Sequence, residues 1–250
     1  MDYTELNKKY EYYHANKHLI PAEVINNYEN AFRIEYAHNS TAIEGNTLSL
    51  IETKLILEDK ISPGGKSMRE LHEIENHDSA FAYVKKCVAD KKPLDENIVK
   101  DIHELLMEKI FPGGIYRNVN VRISGAGFQP PSPNEMYIQV KNFYADLLWK
   151  KNIHAIHVIE FAAWTHAEFV RIHPFTDGNG RVSRMIMNYQ LIFDGWLPVS
   201  IKKEDRLDYF NALETYAVYE NIEPFAELIA GLENKELDKM IEIIEQIKSQ

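Results

Sequence analysis

The chain has 250 residues and a mass of 29.1 kDa, a length that allows one large domain or two small ones. Its net charge of −10 and its pI of about 5.5 argue against a partner that is nucleic acid or an anionic membrane, and we expect neither. The single cysteine, Cys87, excludes an internal disulfide and a cysteine-based metal site.

The N-terminal residues are acidic and polar, unlike a secretory leader, and no apolar run approaches the length that spans a membrane. We therefore predict a cytoplasmic protein. A secreted effector without a general leader peptide would have the same features, and this alternative stays open.

Apolar residues at helical spacing predict α-helices along most of the chain. The first helix, 3–17, carries four tyrosines that pack either on the body of the protein or on a second copy, so a homodimer is an open alternative. The second helix begins near Pro21, a favoured first-turn residue, and continues to Ile43 before Gly45 stops it.

Further helices follow on both sides of one irregular segment. They are predicted at 47–58, 67–89, 94–110, 134–149, 153–172, 204–218 and, as two separate amphipathic helices, within 224–247. Ser49 and Glu52 have the spacing of a capping box near the start of the first of these helices.

The irregular segment, 111–133, loses the helical period and is rich in glycine and proline. Residues 118–123 alternate polar and apolar side chains, which is typical of a strand, and residues 124–127 predict a turn. Since a lone hairpin is weak in a helical protein, the segment is either a small β-hairpin or a surface loop.

Four histidines raise the alternative of a metal-dependent hydrolase. His154 and His157 are three positions apart, and His166 and His173 follow. No carboxylate or third ligand falls at a recognised metal-site spacing, so we disfavour this alternative. We expect His166 to support the site or to form a hydrogen bond within the core.

The richest chemistry lies at residues 173–184, HPFTDGNGRVSR, between two apolar helical segments. Gly178 and Gly180 allow a tight turn and the close approach of a ligand. A helix is predicted to begin near Arg181, and its free N–H groups and the positive end of its dipole form an anion site. The same pattern also suits an ordinary turn followed by a solvated pair of arginines.

Four side chains of this segment have complementary chemistry. Arg181 and Arg184 lie three positions apart on one helix face, so both can reach one polyphosphate. Asp177 is a hard oxygen ligand suited to Mg²⁺, and His173 is a candidate base for a hydroxyl nucleophile. Together these groups predict phosphoryl or nucleotidyl transfer.

The segment resembles the Fic domain signature, His-x-Phe-x-Asp/Glu-Gly-Asn-Gly-Arg-x-x-Arg, at every fixed position. The resemblance implies an all-α Fic fold with one small β-hairpin flap, and transfer of AMP from ATP to a Tyr, Ser or Thr hydroxyl of a target protein or of the enzyme itself. It implies that His173 is the base and that Asp177 binds a Mg²⁺ cofactor. The implied ATP-binding residues are Gly178, Asn179 near the α-phosphate, Gly180, Arg181, Val182, Ser183 and Arg184 at the γ-phosphate, with Tyr209 and Phe210 as candidates for contact with adenine.

The end of the second predicted helix holds Ser40 and Glu44, which are four positions apart and share a helix face. Alone, they indicate only a polar patch. Beside a Fic domain, residues 40–46 resemble the inhibitory motif of the family, Ser/Thr-x-x-x-Glu-Gly/Asn. We expect Glu44 to pair bidentately with Arg184 and to repel the γ-phosphate, with Ser40 fixing Glu44. This pairing requires the N-terminal helix to dock on the core.

The hairpin that follows residues 114–117 resembles the family's flap, which would hold a target segment by strand pairing near His173. The candidate flap residues are Ile123, Ser124, Gly125, Ala126, Gly127, Phe128 and Gln129. We predict N-terminal helices with the inhibitory motif at 1–47, a Fic core at 48–232 and a C-terminal helical tail at 233–250, in one compact domain.

The resemblance therefore predicts an autoinhibited protein adenylyltransferase with ATP as co-substrate. Two alternatives stay open. The same site is also suited to a hydrolase in which Glu44 orients a water that removes AMP from a modified target. A non-catalytic module that only senses ATP would need the phosphate-binding residues but not His173 as a base.

Overall fold

Helices form most of the chain in the computed structural model, which describes residues 1–123, 127–153 and 156–249. The α-helices are α1 (Thr4–Asn16), α2 (Ala22–Ile43), α3 (Leu50–Lys54), α4 (Met68–Ala89), α5 (Glu96–Met107), α6 (Pro133–Ile153), α7 (Val158–Ile172), α8 (Asn179–Phe193), α9 (Arg206–Tyr219) and α10 (Glu223–Lys248). The predicted all-α class is confirmed. Across these described ranges, no helix has the apolar length that a lipid bilayer requires.

Helix α8 lies at the centre of the fold. Every residue from Arg181 to Leu191 is buried, and α2, α4, α5 and α7 all pack against this helix. A helix enclosed on all sides is normally apolar, yet Arg181 and Arg184 are buried at its N-terminal end. Buried guanidinium groups need partners or a ligand, so the packing itself defines a polar site at this end of α8.

The two ends of the chain pack on each other through α1 and α10. Tyr3, directly before α1, and Tyr13 within it are buried in the main core, so the tyrosine-rich first helix packs on the body of its own chain. The prediction of two C-terminal helices is wrong, because α10 is continuous. Its Gly231 costs only about 1 kcal/mol in a helix, while Ile229 and Leu232 on either side are buried and favour continuity.

The turn between α2 and α3 forms largely as the sequence indicates. Gly45 has a φ of 105° and follows the last residue of α2, as a helix stop requires. Both bonds of the capping box between Ser49 and Glu52 are present. The helix predicted at 47–58 is shorter, since α3 gives way to a π-helical turn at Leu55–Asp59.

The predicted β-hairpin is not found among the described residues, where 118–123 and 127–132 contain no strand. Its turn residues Ser124, Gly125 and Ala126 lie outside the described part of the chain. Two reasons explain the difference. A lone two-stranded ribbon is marginal, and Pro130 and Pro131 have no N–H for a strand ladder.

Candidate active site

The loop that joins α7 to α8 is shaped by two residues with left-handed backbone. His173 has a φ of 52° and caps α7, with its N–H donating to the carbonyl of Phe169 at 2.9 Å. Gly178 has a φ of 81° directly before α8. A side chain is strained at this φ, and a Cβ at Gly178 would also lie 2.5 Å from the Cε atom of Met107, so the helix start favours glycine here.

The side chain of His173 is arranged as a base. Its Nδ1 atom lies 3.2 Å from the carbonyl oxygen of Val170, which can only accept, so we assign the proton to Nδ1. The lone pair of Nε2 is then free. Burial lowers the pKa of His173 to about 4, which keeps the ring neutral at pH 7. Neutral imidazole with a free Nε2 is the form that accepts a proton.

Two buried side chains hold this loop from within. Asn179 accepts from the N–H of Phe175 at 2.9 Å and donates to the carbonyl of Phe175 at 2.8 Å. His103 stacks on the Phe175 ring at 3.6 Å, accepts from Gly114 N–H and donates from Nε2 to the carbonyl of Asp177 at 3.0 Å. The predicted contact of Asn179 with the α-phosphate is untested, whereas its role in the loop is direct.

Arg117 joins the irregular segment before α6 to the loop between α7 and α8. Its side chain is buried and donates from Nε to the carbonyl of His173 at 2.8 Å. Its two Nη atoms donate to the carbonyls of Val119 and Pro131 at 2.9 and 2.6 Å, and its N–H donates to the carbonyl of Pro174. The arginine therefore replaces a strand ladder in bringing residues 119 and 131 together. Neither Arg117 nor His103 was predicted as a site residue, because the local sequence around them carries no signal that marks them as functional.

The carboxylate of Asp177 faces two arginines. Oδ2 accepts from Nη2 of Arg69 at 2.7 Å, and Oδ1 accepts from Gly178 N–H at 2.6 Å and from Nη2 of Arg181 at 3.2 Å. Burial acts to raise the pKa of Asp177, but the charges and hydrogen bonds of both arginines outweigh it and lower the pKa. Asp177 is therefore ionised at neutral pH, as a metal ligand must be.

Arg181 is a buried cation whose hydrogen-bonding capacity is only partly used. Its side chain is 2% exposed, and its Nη1 lies 3.5 Å from Glu73 Oε1 as an ion pair. Within the described residues, neither Nε nor Nη1 of Arg181 has a hydrogen-bond acceptor. Buried donors without acceptors beside the N-terminus of α8 are suited to an anion such as a phosphate.

The residues of the site are better suited to Mg²⁺ that arrives bound to a nucleotide than to a metal ion held by protein ligands alone. No group of three histidine, cysteine or acidic residues that could hold a metal occurs in the part of the chain described, and His154 lies outside it. Mg²⁺ commonly uses one or two carboxylates, with phosphates and waters as its other ligands. The side chain of Asp177, which is 41% exposed beside Arg181, is suited to this mode.

Arg184 is bound by the end of α2. Its Nη2 donates to Glu44 Oε1 at 2.7 Å and to the carbonyl of Ser40 at 2.8 Å, while its Nε donates to Ser40 Oγ at 2.9 Å. The expected pair of Glu44 and Arg184 is thus present, with one direct bond where we expected two. Ser40 forms its hydrogen bonds with Arg184 and not with Glu44. It accepts from Nε and Nη2 of the arginine, which a bidentate carboxylate would otherwise use.

The lack of a side chain at Gly180 leaves room for the carboxylate of Glu44. A Cβ at this position would collide with Glu44 Oε1 and would lie 3.2 Å from Nη1 of Arg184. The chain after Glu44 is also anchored, since Nδ2 of Asn46 donates to Glu73 Oε2 at 2.9 Å. The residue before Glu44 is anchored too, since Nε of Arg206 donates to the carbonyl of Ile43 at 2.9 Å. The end of α2 is therefore held on both sides.

The two adenine candidates lie in different environments. Tyr209 is buried, and its hydroxyl accepts from Nη1 of Arg184 at 3.2 Å and lies 3.0 Å from Nε2 of His166. Phe210 is 39% exposed, and the guanidinium of Arg206 lies 4.9 Å from its ring centre. Phe210 is thus open to a ligand, whereas Tyr209 supports Arg184.

The remaining candidates are more scattered. Val182 and Ser183 are fully buried, and Ser183 Oγ donates to the carbonyl of Gly180 at 2.8 Å, so neither side chain is accessible in this state. Of the described flap candidates, Gly127 donates its N–H to Glu214 Oε1 at 3.0 Å. Ile123 and Phe128 are half-buried and Gln129 is exposed.

Comparisons with known proteins identify relatives of this chain. A family model described as the Fic/DOC family matches residues 93–191. Protein adenylyltransferase Fic from Nematostella vectensis is 36% identical over 207 residues, which are 82% of this chain and 48% of that protein. The chain thus spans about half the length of this curated relative.

Two solved structures share the whole fold. A Fic domain containing signaling protein from Bacteroides thetaiotaomicron has a TM-score of 0.85 at 25% identity, over 95% of this chain and 97% of that one. Fic-1 from C. elegans has a TM-score of 0.80 at 28% identity, over 95% of this chain and 71% of that one. The motif at residues 173–184, the fold and these relatives together show that the chain belongs to the Fic/DOC family.

Proposed function

We propose that this chain is a protein adenylyltransferase that transfers AMP from ATP to a hydroxyl of a target protein or of itself, and that Glu44 holds it inactive. The observation that carries the proposal is the loop that begins at His173, whose Nδ1 is held by the carbonyl of Val170, and leads directly into α8, where Nε and Nη1 of buried Arg181 lack hydrogen-bond acceptors among the described residues. The name of the 36% identical relative, protein adenylyltransferase Fic, supports the same activity.

The proposed reaction is an in-line displacement at the α-phosphate. The oxygen of the target hydroxyl forms a bond to the phosphorus, Nε2 of His173 takes the hydroxyl proton, and the bond to pyrophosphate breaks. The free N–H groups at the start of α8 and the guanidinium of Arg181 stabilise the negative charge on the phosphates. Asp177 would hold Mg²⁺, which neutralises phosphate charge when bound.

The proposed inhibition follows from charge and occupancy. Arg184 donates to Glu44, Ser40 and Tyr209, and it is 1% exposed, so a γ-phosphate could bind this arginine only after displacing a partner. The negative charge of Glu44 also repels the triphosphate. ATP is then excluded from the pose in which its α-phosphate lies near His173.

Label transfer from ATP labelled at the α-phosphate tests this proposal. Wild type, Glu44→Gly and Glu44→Gly/His173→Ala are compared with Mg²⁺ in a lysate of target proteins. We expect weak labelling by wild type, strong labelling by the single variant and none by the double variant. Equal labelling by the single and double variants would show that His173 is not the base.

The double variant also separates transfer from nucleotide sensing. Its labelling should vanish while ATP binding, measured by calorimetry, is kept, because His173 is not one of the cationic phosphate ligands. A module that only senses ATP would label nothing in any variant, and its nucleotide-dependent response would survive the loss of His173.

Removal of AMP is a second candidate activity. The side chain of Glu44 is 36% exposed beside the site, and only its Oε1 is engaged by Arg184. A carboxylate in this position is able to orient a water for attack on the α-phosphate of a modified target. Release of AMP from a target labelled by Glu44→Gly, on addition of wild type but not of Glu44→Gln, would establish this activity.

Compartment and assembly complete the proposal. We infer a cytoplasmic protein, since its one cysteine, Cys87, is free and buried and needs no oxidising environment. A homodimer remains an alternative, and light scattering over a concentration series tests it. Monomer mass at every concentration would exclude it.

A further inference from the structure

Arg69 forms a hydrogen bond to Asp177, the candidate metal ligand. It lies in the first turn of α4, and its Nη2 donates to Asp177 Oδ2 at 2.7 Å. Its Nε donates to Glu73 Oε1 at 3.1 Å. Since Oδ1 of Asp177 accepts from Gly178 N–H and Arg181, both oxygens of the carboxylate are engaged.

We propose that Arg69 is a positioning residue that competes with the divalent cation for Oδ2 of Asp177. The guanidinium holds the carboxylate in the absence of nucleotide and leaves it when Mg²⁺ arrives with ATP. This inference rests on the proposed function, because it takes Asp177 as the ligand of a nucleotide-bound Mg²⁺.

The two arginines beside Asp177 differ in their freedom to move. The side chain of Arg181 is 2% exposed and enclosed in the core, whereas that of Arg69 is 58% exposed. A largely solvated ion pair is weak, so a cation is able to displace Arg69 but not Arg181. Oδ2 of Asp177 is therefore the oxygen that becomes available.

Glu73 is a second carboxylate partner for Arg69. It is 8% exposed, accepts from Arg69 Nε, and forms the ion pair with Arg181 and the hydrogen bond from Asn46 that fix its own position. When Asp177 binds a cation, the rigid guanidinium of Arg69 moves as one unit, and Glu73 still offers it a carboxylate partner. Its positive charge moves away from the cation, which removes a repulsion.

A different role for Arg69, direct binding of phosphate, makes the opposite prediction. Loss of a phosphate ligand weakens nucleotide binding with or without Mg²⁺. Loss of a competitor lowers the Mg²⁺ concentration needed for binding and brings no gain when Mg²⁺ is absent. The two roles are therefore separated by the Mg²⁺ dependence of binding, not by activity.

The test is calorimetry of ADP binding over a series of Mg²⁺ concentrations and in EDTA, with every variant in the Glu44→Gly background. We expect Arg69→Gln to lower the Mg²⁺ concentration at half-maximal binding about two- to fivefold, the range for a solvated ion pair. Arg69→Lys keeps the charge and should stay near the parent. Arg33→Gln, which breaks the 2.9 Å pair of Arg33 with Asp78, is the matched control and should change nothing.

Asp177→Ala distinguishes failure of the inference from failure of its premise. If this variant keeps the Mg²⁺ dependence of ADP binding, Asp177 is not the metal ligand, and both the metal assignment and the inference are wrong. If it removes the dependence while Arg69→Gln leaves the half-maximal concentration unchanged or higher, only the inference is overturned. A lower half-maximal concentration for Arg69→Gln, without tighter binding in EDTA, supports it.

Discussion

Oε1 of Glu44 lies 2.7 Å from Nη2 of Arg184, although 140 positions separate the two residues. The contact joins the C-terminal end of α2 to the first turns of α8, the two helix ends that an incoming triphosphate would have to separate. Because the arginine is buried and the glutamate is partly exposed, the carboxylate is the partner that is free to leave.

Removing this carboxylate should raise adenylyl transfer. We expect Glu44→Gly to increase the initial rate of label transfer about 10- to 100-fold, the factor that corresponds to a lost hydrogen bond between charged groups. Glu44→Gln removes the charge but keeps a hydrogen-bonding group, so it should fall between. Glu29 lies on α2, the helix that Glu44 caps, and forms an exposed ion pair with Lys85 of α4, so Glu29→Gln is the control. Wild-type rates for both Glu44 variants would contradict the proposed inhibition.

Ser40 should contribute to the stability of the fold. Ser40→Ala leaves the buried Nε of Arg184 without its acceptor, and we expect the free energy of unfolding to fall by about 1–3 kcal/mol. Urea unfolding followed by circular dichroism measures this difference. Ser40→Thr keeps the hydroxyl and should retain most of the stability. An equal loss in both variants would point to packing rather than to the hydrogen bond.

His103 should make the protein less stable in mild acid. Burial lowers its folded pKa to about 4, against about 6.5 when unfolded, so the unfolded state binds more protons between these values and stability falls as pH decreases through this window. The loss is about 2 kcal/mol at pH 5. His103→Gln retains a donor and an acceptor but does not titrate. The difference in unfolding free energy between variant and wild type should therefore change by this amount between pH 7 and pH 5, and a constant difference would refute the assignment.

Glu233 should have the opposite dependence on pH. Burial raises its pKa to about 8, while the N–H of Leu197 donates to Oε1 at 2.9 Å. Between its unfolded pKa of about 4.5 and 8 the folded state binds the extra proton, so wild type loses stability as pH rises. Glu233→Gln removes this titration and should gain stability relative to wild type by up to about 3 kcal/mol at pH 7, less at pH 5. Thermal unfolding at both pH values measures the gain, and its absence would mean that Glu233 is ionised in the fold.

Local interactions account for the boundaries of helices and turns that were predicted correctly. The stop of α2 at Gly45 and the capping box of Ser49 and Glu52 depend on residues within a few positions of one another. The start of α8 beside Gly178 is equally local. The error at α10 concerns a feature that is not local, because burial of Ile229 and Leu232 against the rest of the fold keeps the helix continuous.

Long-range packing accounts for what was missed. Arg117 lies 56 positions from the carbonyl of His173 that it binds, and Arg69 lies 108 positions from Asp177. His103 reaches the same loop from 74 positions away. Nothing in the local sequence distinguishes these side chains from a solvated arginine or an ordinary core histidine.

By itself, the sequence determined the family and the helical class and predicted the chemistry proposed for the site, because the motif at 173–184 places a histidine, an aspartate and two arginines within one loop and one helix turn. Only the tertiary structure decided which partner each charged group takes. Arg184 binds Ser40 as well as Glu44, and Asp177 binds Arg69. The reason is that a buried or partly buried charge takes its partner from whichever helices pack against it, and those helices come from distant parts of the chain.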